Sequence, residues 1–599
     1  MDEIYSDHLK RKHMYYLMNR SRIILIFLVS FISVISFFAC SKSTVEIKAK
    51  DFGAVPDDNK DDTPAILTAI KACKNKKNSK LIFEFGCYNI YGSQKDERAN
   101  FEPAIDIKNV SNLTIEGNGS EFIGHDYSTM FHFTECRNIS ITNLTVDWDP
   151  LPYTQGKVIQ VDSNYIDIEV IAPFIAQQGL HTEAILGYDP ENHRMARRFT
   201  DHYQLGFEKT TEVIRPDVMR LFIGHQDRFA GTMPLVGHYV IARHHVYGYQ
   251  SFEFVKCTNV QLGNVNIYSN PGMGVVGDEC HDINIRHLKV MIRPGTGRWM
   301  SCTADATNFR ACRGTIVMEN CLFEGQGDDA TNVRSGEYLL VAERLDKNKL
   351  RIKTGYRYGG DPAPPEIGDK LEISGEDKPL LPYSTVTVRS VEINKQDKTL
   401  IVGFFEKLPE RTGKGDIVGN ASSCPVLRIR NCTAIRNRAR GFIVKTRNVI
   451  IEDCTFKDIC ASAVGLEADI NAWWEAIGSR NVVIRNNRFI DCKFEPEYLH
   501  GVIESHTMSQ TAPAGVHRRI TIENNIFLGS DGNIIKLGSA DGVDIVNNII
   551  DKPKDEAIFL YNSRNIRISG NKLTNCKVGL KIGLGCDTAS IKVENNIGF

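Results

Sequence analysis

The chain has 599 residues, 42% hydrophobic and 24% charged, which excludes a disordered, collagen-like or polytopic membrane protein and points to several domains or an architecture that grows by repetition. Its 72 Lys and Arg against 73 Asp and Glu leave a formal charge of −1. With no bulk positive field and no basic stripe interleaved with aromatics, no nucleic-acid partner is expected.

The first element is an apolar run from Ile23 to Ala39, 17 residues long, preceded by Arg20 and Arg22 and followed by Cys40-Ser41-Lys42. A basic flank, a short apolar stretch and a small residue before the cut read as a secretory signal. The ending Phe37-Phe38-Ala39-Cys40 resembles the lipobox of bacterial lipoproteins, which implies cleavage before Cys40, acylation of Cys40 and an exported protein held to a membrane by its lipid. A signal-anchor helix is the alternative, but 17 residues is short for a span and no second apolar segment follows. Residues 1–40 are therefore set apart from the fold.

Residues 41–151 open with Asp51-Phe52-Gly53-Ala54-Val55, and a helix is predicted over Asp61 to Cys73, with Asp62 or Thr63 as N-cap and Pro64 in the first turn. Coil-like phrases come next, as in Asn112-Leu113-Thr114-Ile115-Glu116-Gly117-Asn118 and Asn138-Ile139-Ser140-Ile141-Thr142-Asn143. Residues 152–250 alternate with period two, as in Tyr165-Ile166-Asp167-Ile168-Glu169-Val170, and predict an inserted antiparallel module. Coils return over 251–336, a second inserted β-barrel or β-sandwich is predicted over 337–421, and coils resume over 422–599. There Ile522-Glu523-Asn524-Asn525-Ile526 recurs at Ile545, Ile568 and Val593, offsets of 23, 23 and 25 residues.

Short Ile/Val strands with Asn or Gly corners at that period predict an all-β fold: a right-handed parallel β-helix with two inserted antiparallel modules and an N-terminal capping helix. A leucine-rich horseshoe is disfavoured because its leucine spacing does not recur. The phrase Asp51-Phe52-Gly53-Ala54 resembles the opening of pectin-lyase-like β-helix proteins, which implies the fold and not a reaction. Most cysteines share one context, as in Asn431-Cys432, Asp453-Cys454 and Asp491-Cys492, and 15 remain after Cys40. Buried free thiols are expected rather than disulfides, and no close pair has zinc spacing.

The densest polar constellation is Cys302-Thr303-Ala304-Asp305-Ala306-Thr307-Asn308 followed by Gly325-Gln326-Gly327-Asp328-Asp329-Ala330-Thr331-Asn332. Asp305 precedes the pair by 23 and 24 residues, one coil, which stacks three carboxyls on one face. Their repulsion raises at least one pKa and supplies the protonated acid and ionised base that glycoside hydrolysis uses. The bland alternative is a solvated corner. A further alternative is Ca²⁺ binding with Arg334 as the base of a polysaccharide lyase. Possible sugar contacts are Trp299, Asp278, Glu279, Arg334, Glu467, Trp473 and Trp474, with His281, Glu504 and His506 as weaker candidates; each has a structural reading beside it.

Thr303-Ala304-Asp305, Gly327-Asp328-Asp329, the two inserted modules and the length together resemble glycoside hydrolase family 110, the bacterial α-1,3-galactosidases, from about residue 45 to the C-terminus. That resemblance implies inverting hydrolysis of terminal α-1,3-linked galactose from blood-group B and related glycans, with no metal or organic cofactor. It also implies Asp328 as general acid, with Asp329 and Asp305 activating or positioning the water. The motif is similar to the three-carboxylate arrangement of polygalacturonases too, but their Gly-His-Gly and Arg-x-Lys phrases are missing.

Overall fold

Alternating apolar and polar residues over short runs, each broken by one residue in the left-handed region, wind the chain into a parallel β-helix. The computed structural model describes residues 44–599 except 75, 93–101, 198–201, 204–208, 223–233, 355–362, 472, 496–499 and 510. The signal segment and the lipidation expected at Cys40 lie outside the described residues. Among those residues the coils form a 12-stranded parallel sheet and a 23-stranded sheet. Long strands of the larger sheet pass a corner without breaking: Arg137–Trp148 does so at Asn143 (φ 57°) and Thr258–Ile267 at Asn264 (φ 54°).

The repeated Asn-Asn phrase divides its work between its two residues. The first, as at Asn486, Asn524, Asn547 and Asn595, takes a positive φ and turns the corner. The second points inward and builds a ladder. Asn548 donates to the Ile522 carbonyl at 2.9 Å, and its side-chain oxygen accepts the main-chain N–H of Asn525 at 3.0 Å. Asn487, Asn525, Asn571 and Asn596 repeat the pattern. Toward the N-terminus the same ladder continues in cysteine: the Cys454 N–H donates to Asn487 at 2.9 Å, and Cys432 and Cys321 come next. A small side chain fits this inward position, and an amide there satisfies buried main-chain groups that water cannot reach. The described cysteines are all free, and most are buried.

The predicted helix forms over Thr63–Lys74 and buries Ile66, Ala69, Ile70 and Cys73 against the first coils. Asp62 caps it through its carbonyl, which accepts the N–H of Ile66, while its carboxylate turns away to the N–H groups of Val55 and Asn89. The first insertion is an antiparallel sheet of eight strands among the described residues, running from Tyr153 to Arg243. The second is a closed six-stranded barrel spanning Leu339 to Asn420, filled by Leu350, Ile352, Leu371, Val402 and Phe404. The barrel docks on the solenoid through paired ions. Glu372 accepts two bonds each from Arg447 and Arg480 at 2.8–2.9 Å, and Asp369 takes Arg313 at 2.8 Å twice.

Candidate active site

Three adjacent strands of the 12-stranded sheet, Thr307–Arg310, Thr331–Arg334 and Phe442–Lys445, pair in parallel with Thr307 opposite Thr331 and Thr331 opposite Phe442. Two residues upstream of each strand, the same register stacks Asp305, Asp329 and Arg440 in one column. Main-chain bonds carry the ladder into this corner: Ala306 N–H donates to the Asp329 carbonyl at 2.9 Å and Ala330 N–H to the Arg440 carbonyl at 3.1 Å. Asp329, not the Asp328-Asp329 pair as a unit, is therefore the rung partner of Asp305. Asp328 takes the more open position, its side chain 13% exposed against 4% for Asp329.

The two turns touch closely because position 327 is glycine. A Cβ there would stand 2.3 Å from the Thr303 carbonyl oxygen, which no side chain tolerates. Arg243, fully buried at the end of the first insertion's last described strand, clamps the same turns by donating to the carbonyls of Thr303 at 2.8 Å and Gly327 at 3.1 Å. Four residues on, the Tyr247 hydroxyl donates to Asp328 Oδ2 at 2.5 Å, and Arg438 reaches Asp328 Oδ1 at 3.2 Å. The insertion thus walls the carboxyl cluster, and both acid-bearing turns are fixed from outside the repeat.

One oxygen from each of Asp305, Asp328 and Asp329 lies within 4.8 Å of the others. Asp305 accepts Asn308 Nδ2 at 2.7 Å and the Asp329 N–H at 3.2 Å. Asp329 accepts the Arg440 N–H at 3.0 Å, with the Arg440 guanidinium Nε at 3.3 Å. Burial pushes Asp329 up to about 7; the Arg440 charge opposes that rise and the Asp328 and Glu467 charges add to it. Burial, with the charges of Asp328 and Asp329, holds Asp305 well above the usual carboxylate range. The cluster therefore keeps at least one proton near neutrality, and its titration belongs to the group rather than to one member.

Beyond the cluster runs a buried ionic network. Lys445, 2% exposed, lies 3.2 Å from Glu467 and also bonds Glu475, while Arg334 reaches Glu475 at 3.4 Å and Asn308 at 2.8 Å. Burial alone would raise Glu467, but the charges of Arg440 and Lys445 hold it far below the usual carboxylate range. Glu475 is likewise held down against its burial, chiefly by Lys445 and Arg334. Glu467 and Arg334 thus lie in the surroundings of the carboxyl cluster, each engaged in this ionic network.

Other sequence candidates stand elsewhere. Trp299 stacks on Tyr188 at 4.4 Å and 6°, partly buried in the apolar joint between the first insertion and the coils, so one face of its ring is taken by Tyr188. Both oxygens of Asp278 are engaged by Arg310 at 2.7 and 2.6 Å, and Glu279 turns a corner at φ 51° with Lys256 at 3.9 Å. Trp474 packs in the joint beneath the barrel, whereas Trp473 is exposed, its N–H on Asp469 at 2.5 Å. His281 is exposed and bonds Asp282 at 2.8 Å. Sequence reading missed Tyr247, Arg243, Arg438, Arg440, Lys445 and Glu475. For Arg440 a signal existed: once the barrel is skipped, it lies one coil after Asp329, with Arg438 one coil after Gly327.

A family profile described as "Periplasmic copper-binding protein (NosD)" matches residues 411–597. The chain is 28% identical over 602 aligned positions to α-1,3-galactosidase B of Bacteroides thetaiotaomicron, covering 92% of this chain and 95% of the relative. It is 27% identical to α-1,3-galactosidase A of Shewanella woodyi, covering 85% and 86%. Among solved structures, the Agl-KA catalytic domain superposes with a TM-score of 0.46 at 11% identity, covering 93% of this chain and 69% of that one. The resemblance carried by Thr303-Ala304-Asp305 and Gly327-Asp328-Asp329 thus extends over most of the chain, and the protein is a glycoside hydrolase related to the α-1,3-galactosidases.

Proposed function

We propose that the protein is an exo-acting galactosidase that hydrolyses terminal α-1,3-linked galactose from blood-group B and linear glycans, with inversion, as an exported lipoprotein anchored through Cys40. The observation that carries the reading is the cluster of Asp305, Asp328 and Asp329, with oxygens within 4.8 Å and only Asp328 turned toward the open side. Asp328 delivers the cluster's proton to the glycosidic oxygen as the bond to the anomeric carbon breaks, which leaves Asp305 and Asp329 as the ionised pair. Water held by Asp305 and Asp329 attacks from the opposite face and gives its proton to that pair. Tyr247 and Arg438 hold Asp328 in place, and the Arg440 charge favours the ionised form of Asp329 that takes up the proton of the water.

Both oxygens of Asp305 already accept hydrogen bonds, which suits a water-positioning group better than a covalent nucleophile. A second reading, retention, is favoured by the compactness of the cluster. Inverting pairs usually keep their carboxyls about 6.5–9.5 Å apart and retaining pairs about 5–5.5 Å. The test uses the soluble protein lacking residues 1–40, in EDTA, with blood-group B trisaccharide and linear galactosyl-α-1,3-galactose, followed by proton NMR of the released sugar. Early β-galactose, absent from Asp328→Asn, upholds the proposal. Early α-galactose replaces inversion by retention, and no galactose from folded protein refutes the substrate.

A further inference from the structure

The acidic turns are gripped by a short bend, residues 244–249, that leaves the strand Tyr239–Arg243 of the first insertion and rejoins the coils at Phe252. Three contacts run from it. Arg243 clamps Thr303 and Gly327 at its start, the Val246 carbonyl lies 3.3 Å from the Thr303 hydroxyl, and the next residue, Tyr247, donates to Asp328.

A glutamate outside the repeat sets the shape of this bend. Glu183, directly before the strand Ala184–Asp189, donates its main-chain N–H to the Arg243 carbonyl at 2.9 Å, and its carboxylate turns back to accept the Val246 N–H on Oε2 at 2.7 Å. One residue thus holds both ends of the span from Arg243 to Val246. Val246 is 1% exposed, so its N–H relies on that carboxylate rather than on water. The two histidines between are fixed as well. His244, 2% exposed, bridges the Thr154 hydroxyl and the His181 carbonyl at 2.8 Å each, and the His245 ring packs on Tyr127 at 4.0 Å with its Nδ1 3.7 Å from Glu183 Oε1. Burial lowers both imidazole pKa values to about 4, so near neutrality neither is a cation beside Glu183. Burial raises the Glu183 carboxyl too, while the Val246 N–H and the Arg243 charge favour its ionised form.

With its N–H on Glu183 and its carbonyl at Thr303, Val246 is tied on one side to the insertion and on the other to the turn that leads to Asp305. We infer that Glu183 is a positioning residue for the general acid: it holds Val246 so that the hydroxyl of Tyr247 meets Asp328 Oδ2. The inference rests on the galactosidase reading, in which Asp328 gives its proton to the glycosidic oxygen. A hydroxyl donates more strongly to a carboxylate than to a neutral carboxyl, so this contact strengthens as the proton leaves and favours the transition state over substrate binding.

The test compares the blood-group B trisaccharide with α-galactosyl fluoride, whose leaving group departs with little help from an acid. Glu183→Ala is expected to lower kcat on the trisaccharide about tenfold with KM nearly unchanged, and to stay within about twofold of wild type on the fluoride. Glu183→Gln keeps an oxygen for the Val246 N–H and should restore most of the activity, and Glu183→Ala added to Tyr247→Phe should cost nothing further. Equal losses on both substrates, no rescue by Gln, losses that multiply in the double variant, or wild-type kinetics in Glu183→Ala would each overturn the inference. If Glu183→Ala does not fold, Glu183→Asp, which withdraws the carboxylate by one methylene, is read by the same comparisons. If folded wild type releases galactose from neither substrate, the galactosidase reading fails first, and the crystal structure of Glu183→Ala decides the positioning: a Tyr247 hydroxyl displaced beyond hydrogen-bond distance of Asp328 upholds it, and one left in place overturns it.

Discussion

Replacing Asp329 by Asn should make the protein more stable and less active, with a stability gain that depends on pH in a defined way. Burial raises the Asp329 carboxyl from 3.8 to about 7 in the folded protein, so at pH 4 both folded and unfolded chains hold the proton and Asn gains little. Between pH 4 and 7 the unfolded chain ionises while the folded one does not, and wild type loses stability throughout that window. At 1.36 kcal/mol per tenfold change in proton affinity, the rise corresponds to about 4 kcal/mol above pH 7. Because Asp329 titrates together with Asp305, a gain of about 2–4 kcal/mol is expected at pH 8. Asn keeps an oxygen for the Arg440 N–H, so packing is preserved. Denaturant midpoints of both proteins at pH 4.5, 6 and 8 provide the assay. A difference between variant and wild type that is constant across pH, or one that shrinks from pH 4.5 to pH 8, would refute the claim that burial holds a proton on Asp329.

Asp328→Asn should lower kcat by about 10³ on substrates with poor leaving groups, the range of a lost general acid. Tyr247→Phe, which removes one bond to that carboxylate, should cost about 10- to 100-fold in kcat/KM, read by galactose release. Gly327→Ala forces the Thr303 carbonyl away and should destabilise by about 1–3 kcal/mol while abolishing activity, since it separates the turns that carry the aspartates. Asn548→Ala strips bonds from Ile522, Asn525 and Asn571 and should cost about 2–4 kcal/mol in denaturant titration; Cys454→Ala, at an equivalent rung without an amide, should cost about 1 kcal/mol.

The solenoid was legible because its rules are local and recur every coil: Asn524-Asn525 and Asn547-Asn548 announce a corner and a ladder within two residues. The aspartates were legible for the same reason, one coil separating Asp305 from Asp329. Arg440 occupies the next rung of that column, but 111 residues of chain, most of them the barrel, hide the spacing. Tyr247 and Arg243 obey no period at all, since they arrive from an antiparallel insertion whose docking is a tertiary event. Trp299 illustrates the opposite case. An aromatic close to an acid in sequence suggests a sugar platform, yet the coil turns it sideways onto Tyr188.

Arg243 also has a bearing on how the site comes into being. The residues it clamps, Thr303 and Gly327, leave the ribosome after it does, so the grip exists before there is anything to hold. Synthesis from the N-terminus completes the first insertion, then the two acidic turns, and only after the whole barrel has emerged the Arg438 and Arg440 that close the column. A chain cut short anywhere within the barrel would carry all three aspartates of the cluster and the Arg243 clamp, but neither Arg438 nor Arg440. The hydrolytic centre is thus a late assembly, withheld until most of the polypeptide has been made.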